Sequence, residues 1–163
     1  MNAVRLFIAT CLAVGFLLSS SMAFAGATGL GLILLSPTGV SLNKYVGPQR
    51  SIDAAMAWSL NDDDQSLYAH TTYLLHQKGF FEIDKTKIDT YYGGGLRLIS
   101  WDNPPGKKTK SETHLGLRGV GGVAYIFRSS RIQIFSEVSL TMDVVPDTDA
   151  DLGVGLGARY YFK

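Results

Sequence analysis

The chain has 163 residues, 46% of them hydrophobic and 18% charged, with 18 glycines and a formal charge of +1. A composition so apolar and so sparsely charged excludes a disordered polyelectrolyte, and the near-neutral balance excludes the basic surface of a nucleic-acid binder. The length suits one domain, or an export signal followed by one domain.

Arg5 precedes a nearly unbroken apolar run from Leu6 to Leu18, and Ala23-Phe24-Ala25 stands before Gly26. A positive start, a short apolar run and an A-x-A site form the three-part pattern of a secretory signal peptide. The run is too short to cross a bilayer as a helix. The expected division is a signal at 1–25 and a mature domain at 26–163. Cleavage removes Cys11, the one cysteine, so no disulfide staples the domain. It also removes Arg5, which leaves basic and acidic side chains in balance.

After residue 25 the hydrophobic period is two. Leu30, Leu32 and Leu34 alternate with Gly29, Gly31 and Ile33. Weaker strands follow at 38–46, with a bulge expected near Lys44, and at 50–60, where Ile52, Met56, Trp58 and Leu60 alternate with Ser51, Asp53, Ala55 and Ala57. In 66–77, Leu67, Tyr73 and Leu75 alternate with Tyr68, His70, Thr72 and His76. In 90–100, Tyr92, Leu96 and Leu98 alternate with Tyr91, Gly93, Gly95 and Arg97. Segment 113–127 sets Leu115, Leu117, Val123, Tyr125 and Phe127 against His114, Gly116, Arg118, Gly122 and Ala124. Segment 132–143 sets Ile132, Ile134, Val138, Leu140 and Met142 against Gln133, Glu137, Thr141 and Asp143. In 149–162, Leu152, Val154, Leu156, Ala158, Tyr160 and Phe162 alternate with glycines, Arg159 and Tyr161. Strict alternation predicts strands, and Pro/Gly/Asn/Asp clusters punctuate them. Eight strands in one all-β domain are expected.

Two all-β solutions fit this pattern. A soluble lipocalin-type carrier turns the Leu/Val/Tyr stripe inward, and a membrane barrel turns it outward to lipid. The other stripe discriminates. A soluble exterior is dressed in Lys, Glu and Thr, whereas here it is Gly, Ala and Ser with isolated charges. Small residues and single charges suit the cramped lumen of an eight-stranded barrel. The segments are also close to the ~9–11 residues a tilted spanning strand needs. On this basis Leu30, Leu32, Leu34, Trp58, Leu115, Leu117, Val138, Leu140, Val154, Leu156, Tyr160 and Phe162 are expected to face lipid. Aromatics near strand ends then serve as interfacial girdles.

With these strands and the ending Leu156-Gly157-Ala158-Arg159-Tyr160-Tyr161-Phe162, the chain resembles the small outer-membrane β-barrels of the OmpA/OmpX type found in Gram-negative bacteria. The resemblance implies a closed eight-stranded antiparallel up-and-down barrel with both termini in the periplasm. It implies outer loops at 36–39, 61–65, 101–112 and 146–150, and inner connections at 47–49, 78–89 and 128–131. The stretch 78–89 is long for an inner connection and leaves room for a hairpin extension. The implied partners are outer-membrane lipids, lipopolysaccharide and, through the last strand, the barrel-assembly machinery, with a monomeric chain.

The inward charges are the sharpest candidates for function. Asp53, His70, Arg97, Arg118, Glu137 and Arg159 share the lumen stripe. A charge in a narrow lumen costs several kcal/mol to desolvate unless paired. Glu137, between Arg118 and Arg159 in strand order, is expected to anchor a Glu–Arg network, with Asp53 balancing it across the lumen. Such a network is a polar plug, or else a gate in a narrow pore for water or small ions. Catalysis occurs among related barrels, but no Ser/His/Asp set and no apolar acyl slot is found in the pattern. No enzyme activity, cofactor or metal site is expected, since His70 and His76 stand too far apart for one ion. The Gly-x-Gly steps precede no helix, so they read as places where a small barrel coils sharply beneath rings such as Tyr91 and Tyr161.

Overall fold

Alternation with a period of two forces the sequence after residue 25 into extended strands with unlike faces, and closure sets which face lies inside. The computed structural model describes residues 26–35, 38–61, 64–83, 86–102, 112–127, 129–146 and 148–162. Residues 1–25, where a signal peptide is expected, and the loop charges Asp62, Asp63, Lys107, Lys108, Lys110 and Asp147 lie outside the described residues. Eight strands follow in order: β1(Thr28–Leu35), β2(Gly39–Gly47), β3(Arg50–Asn61), β4(Asp64–Ile83), β5(Thr86–Asp102), β6(Glu112–Phe127), β7(Ile132–Val145) and β8(Asp149–Phe162). Each pairs with the next, and β1 pairs antiparallel with β8 from Thr28↔Phe162 to Leu35↔Gly155. The sheet is a closed barrel, so its backbone presents no free edge around the wall.

One rim carries the start of β1 and the end of β8, where Thr28 pairs with Phe162, and the β2–β3, β4–β5 and β6–β7 connections. It is called the terminal rim below, and its opposite the loop rim. Tight turns explain the spacing of the elements. Pro48 and Gln49 alone join β2 to β3. Between β6 and β7, the amides of Ser130 and Arg131 donate to the Phe127 carbonyl, and Arg131 takes a left-handed φ of 58°. Leu35 at the loop rim has a φ of 84°, and its amide donates to Thr38 Oγ1 at 3.1 Å.

The strands sharpen the sequence reading at three places, the hairpin extension for which 78–89 left room among them. The 78–89 stretch is a hairpin extension of β4 and β5, because Phe80, Phe81, Ile83 and Ile88 are as strand-compatible as the barrel segments. The register slips between Gln77 and Phe81, where Gly79 adopts a φ of +63° and its amide donates to Asp89 Oδ1 at 2.7 Å. The irregularity in β2 falls between Tyr45 and Gly47 rather than at Lys44. In addition, β5 and β6 reach Asp102 and Glu112, which narrows the loop between them.

The two faces separate as the alternation requires. Leu32 is 60% exposed on the outer wall, whereas its neighbour Ile33, inside, is 1% exposed. Leu30, Leu34, Trp58, Leu115, Leu117, Val138, Leu140, Val154, Leu156, Tyr160 and Phe162 are all exposed outside. Tyr125–Phe127 and Tyr160–Phe162 stack edge to face at the terminal rim, with centroids 4.6 and 5.0 Å apart. The lumen is less uniformly small and polar than expected. Ile33, Leu74, Val120 and Phe135 form an apolar core with Ala55, Tyr91 and Ala124. Rings also fill the space that glycines leave. The Tyr161 ring lies where a Cβ on Gly29 would stand, and the Tyr91 ring does the same at Gly122.

Candidate functional site

Every candidate lumen residue points inward and is buried, and the structure sorts them into three charged groups. At mid-lumen, Arg118 Nη2 donates to Glu137 Oε1 at 2.6 Å across the β6–β7 boundary. The Tyr91 hydroxyl from β5 donates to Glu137 Oε2 at 3.2 Å. This carboxylate is therefore held on both oxygens, as burial demands.

The second group corrects the expected pairing. Arg159 does not join Glu137. Its guanidinium reaches across to β3, where Nη2 lies 2.7 Å from Asp53 Oδ1. Arg159 Nε and Nη2 also donate to Ser41 Oγ on β2 at 2.8 and 2.6 Å. The Phe135 ring sits 3.9 Å from its guanidinium carbon, a cation–π contact between β7 and β8. Asn43 Nδ2 donates to Asp53 Oδ1 and to Ser51 Oγ, each at 3.0 Å. His70 Nε2 stands 3.7 Å from Asp53 Oδ2. The network continues toward the terminal rim, where Ser51 Oγ and His76 Nε2 are 2.7 Å apart. There the Tyr161 hydroxyl lies 3.0 Å from Asn43 Oδ1 and 3.1 Å from Gln133 Oε1.

The third group includes three residues the sequence pattern did not place in the network, Asp143, Asp151 and His114. Arg97 Nη2 contacts both carboxylate oxygens of Asp143 at 2.9 Å, and its Nη1 reaches Asp151 Oδ2 at 2.5 Å. His114 Nδ1 stands 3.6 Å from Asp143 Oδ2. Asp143 was visible on the inward stripe of β7. Asp151 stands two residues into β8 and is half exposed at the loop-rim mouth. Among the described residues, Nε of both Arg97 and Arg118 has no hydrogen-bond partner.

Chemically, the arrangement compensates charge locally. Three guanidinium groups each meet at least one carboxylate within a hydrogen-bonding distance. Two of them, Arg97 and Arg159, bridge strands that are not neighbours in the sheet.

No family model matches the sequence, and no curated protein matches it either. Solved structures do. The N-terminal β-barrel domain of Pseudomonas aeruginosa OprF matches with a TM-score of 0.62 and 12% identity, covering 84% of this chain and 96% of that one. The Yersinia pestis outer membrane protein Ail in a phospholipid nanodisc aligns at 16% identity with a TM-score of 0.46, over 84% of this chain and 98% of that one. A crystal structure of Ail aligns at 17% identity with a TM-score of 0.43, over 84% and 95%. With eight antiparallel strands closed β1 to β8 and a barrel of that superposition, the chain has the fold of the small outer-membrane β-barrels of the OmpA/OmpX type.

Proposed function

We propose that the protein is an integral outer-membrane barrel with a structural role in the envelope, its lumen plugged by its own paired side chains. One observation carries this reading. Large apolar side chains, among them Leu32, Leu117, Leu140 and Leu152, stand more than half exposed around the outer wall while ion pairs occupy the inside. In water such a surface would drive aggregation, whereas against acyl chains it is the ordinary exterior of a barrel. A lipocalin-type carrier needs the apolar stripe inside, and these side chains point out. The export signal read at 1–25 and the outward-facing aromatics at the terminal rim support the same location.

Membrane fractionation tests the placement. The protein is expected to stay with membranes through a carbonate wash and to run faster on a gel unheated than boiled. Release into the wash would overturn it. Planar bilayer recording tests the plug. No conductance is expected from the wild type, and none from Glu137→Ala.

A second reading, a narrow pore for water or small ions, is favoured by one feature. The Arg97–Asp143–Asp151 group sits at the loop-rim mouth, where Asp151 is half exposed and free to exchange partners. Stepwise currents that change in Arg97→Gln would establish the pore and remove the plug.

A further inference from the structure

Outside the lumen, the outer wall at the terminal rim carries a feature that plugging does not use. A shallow cavity of about 230 Å³ opens there across β3, β4 and β5, lined by Gln49, Arg50, Leu75, Gln77 and Tyr92 and backed by His76, whose ring turns into the lumen. Arg50, Leu75 and Tyr92 form one cross-strand row, with Arg50 opposite Leu75 and Leu75 opposite Tyr92. The cavity therefore joins a cation to an apolar floor on the wall that faces outward. Gln49 and Gln77 add amide donors beside the cation.

Immediately beyond Gln77 the β4–β5 hairpin leaves the barrel. It holds Lys78 and Lys87 exposed, and Phe80 and Phe81 are 61% and 51% exposed, stacked edge to face 4.8 Å apart. The Lys87 side chain lies against Gly79. Glu82 is the acidic residue opposite Lys87 in register, and the Asp89 carboxylate is engaged by the Gly79 amide. Two exposed rings beside two lysines are the composition of a segment lying in a lipid interface.

We propose that this cavity is a site for an anionic phospholipid of the leaflet at the terminal rim, with the headgroup phosphate on Arg50 and an acyl chain along Leu75 and Tyr92. The hairpin lies in the interface beside it, Phe80 and Phe81 toward the acyl boundary and Lys78 and Lys87 toward phosphates. A guanidinium gives a phosphate two parallel donors, and the adjacent aliphatic and phenol surfaces accept a chain that a free ion lacks. The proposal rests on the membrane reading above.

The test is native mass spectrometry of the barrel released from nanodiscs of equal parts phosphatidylcholine and phosphatidylglycerol. Wild type is expected to retain phosphatidylglycerol over phosphatidylcholine, and Arg50→Gln is expected to lower that preference roughly fivefold. Arg131→Gln, an exposed cation on the same rim but off the cavity, is expected to leave it unchanged. A wild-type preference near unity overturns the site whatever the variants do, and so does an equal loss in both variants. Displacement of the lipid by inorganic phosphate at matched concentration would also overturn it, by showing an anion site to which the acyl chain adds nothing. A chain that will not enter nanodiscs with its heat-dependent gel shift defeats the membrane reading itself. Entry without lipid preference defeats the site alone.

Discussion

Replacing Arg118 and Glu137 singly and together measures what the mid-lumen pair contributes. Both side chains are almost wholly buried, 2.6 Å apart, and the carboxylate takes a second hydrogen bond from Tyr91 at 3.2 Å. In Glu137→Leu the guanidinium keeps its charge and loses the one carboxylate partner it has among the described residues, a situation that costs ~3–5 kcal/mol. The Tyr91 bond adds about 1 kcal/mol to that loss. Arg118→Met strands the carboxylate at a similar cost of ~3–5 kcal/mol. In the double variant neither charge remains, and apolar side chains of similar volume fill the space, so the net cost is no more than ~2 kcal/mol. The coupling energy is therefore expected to exceed ~3 kcal/mol in favour of the pair. Reversible urea unfolding of the inserted barrel, followed by tryptophan emission and the gel shift, reads all four forms. Coupling below ~0.5 kcal/mol, the additivity of independent sites, would refute the placement of this pair.

Three further outcomes follow from the packing and the faces. Gly29→Ala is expected to destabilise by ~1–3 kcal/mol, because its Cβ would meet only ring atoms of Tyr161 at 2.8–3.1 Å; Gly121→Ala, with nothing within 4 Å, is expected to be neutral, as thermal unfolding would record. Phe135→Ala removes the most deeply buried ring, which also covers Gly157 and the Arg159 guanidinium, and is expected to cost ~3–5 kcal/mol by urea unfolding. Spin labels at Leu117→Cys and Val154→Cys are expected to collide with lipid-dissolved oxygen and be shielded from aqueous relaxers; labels that meet buffer there would reverse the assignment of faces.

How much was legible in the sequence depended on where alternation was clean. Along most of β6, β7 and β8 the two faces differ from one step to the next, and the inward sets Gly116/Arg118, Glu137/Thr141 and Gly155/Arg159 stand where the period put them. Where two apolar residues adjoin, the period says nothing about which one is inside. Leu74-Leu75 and Ile134-Phe135 are such pairs, and the hidden members, Leu74 and Phe135, make up much of the apolar core. The charged pairing failed for a different reason. Strand order places Glu137 next to both Arg118 and Arg159, but a guanidinium on a long stem can cross a narrow lumen, and Arg159 does so to reach Asp53. Asp151 has the inward parity of Arg159, but a carboxylate two residues from a strand start reads as solvated charge until the Arg97 side chain that reaches it is seen. The hairpin at 78–89 resembled a loop because a glycine and its bulge interrupt the alternation midway.

The Arg159 bonds bear on how the cylinder stays shut. The seam between β1 and β8 joins the most distant parts of the chain, and β1, at 8 residues, is the shortest stave. Arg159 on β8 reaches over β1 to Ser41 on β2 and Asp53 on β3, so it acts as a latch on the inside of that seam. Parting the seam would leave a buried carboxylate and guanidinium without each other as well as unzipping a short ladder, which makes lateral opening there a costly and all-or-none event.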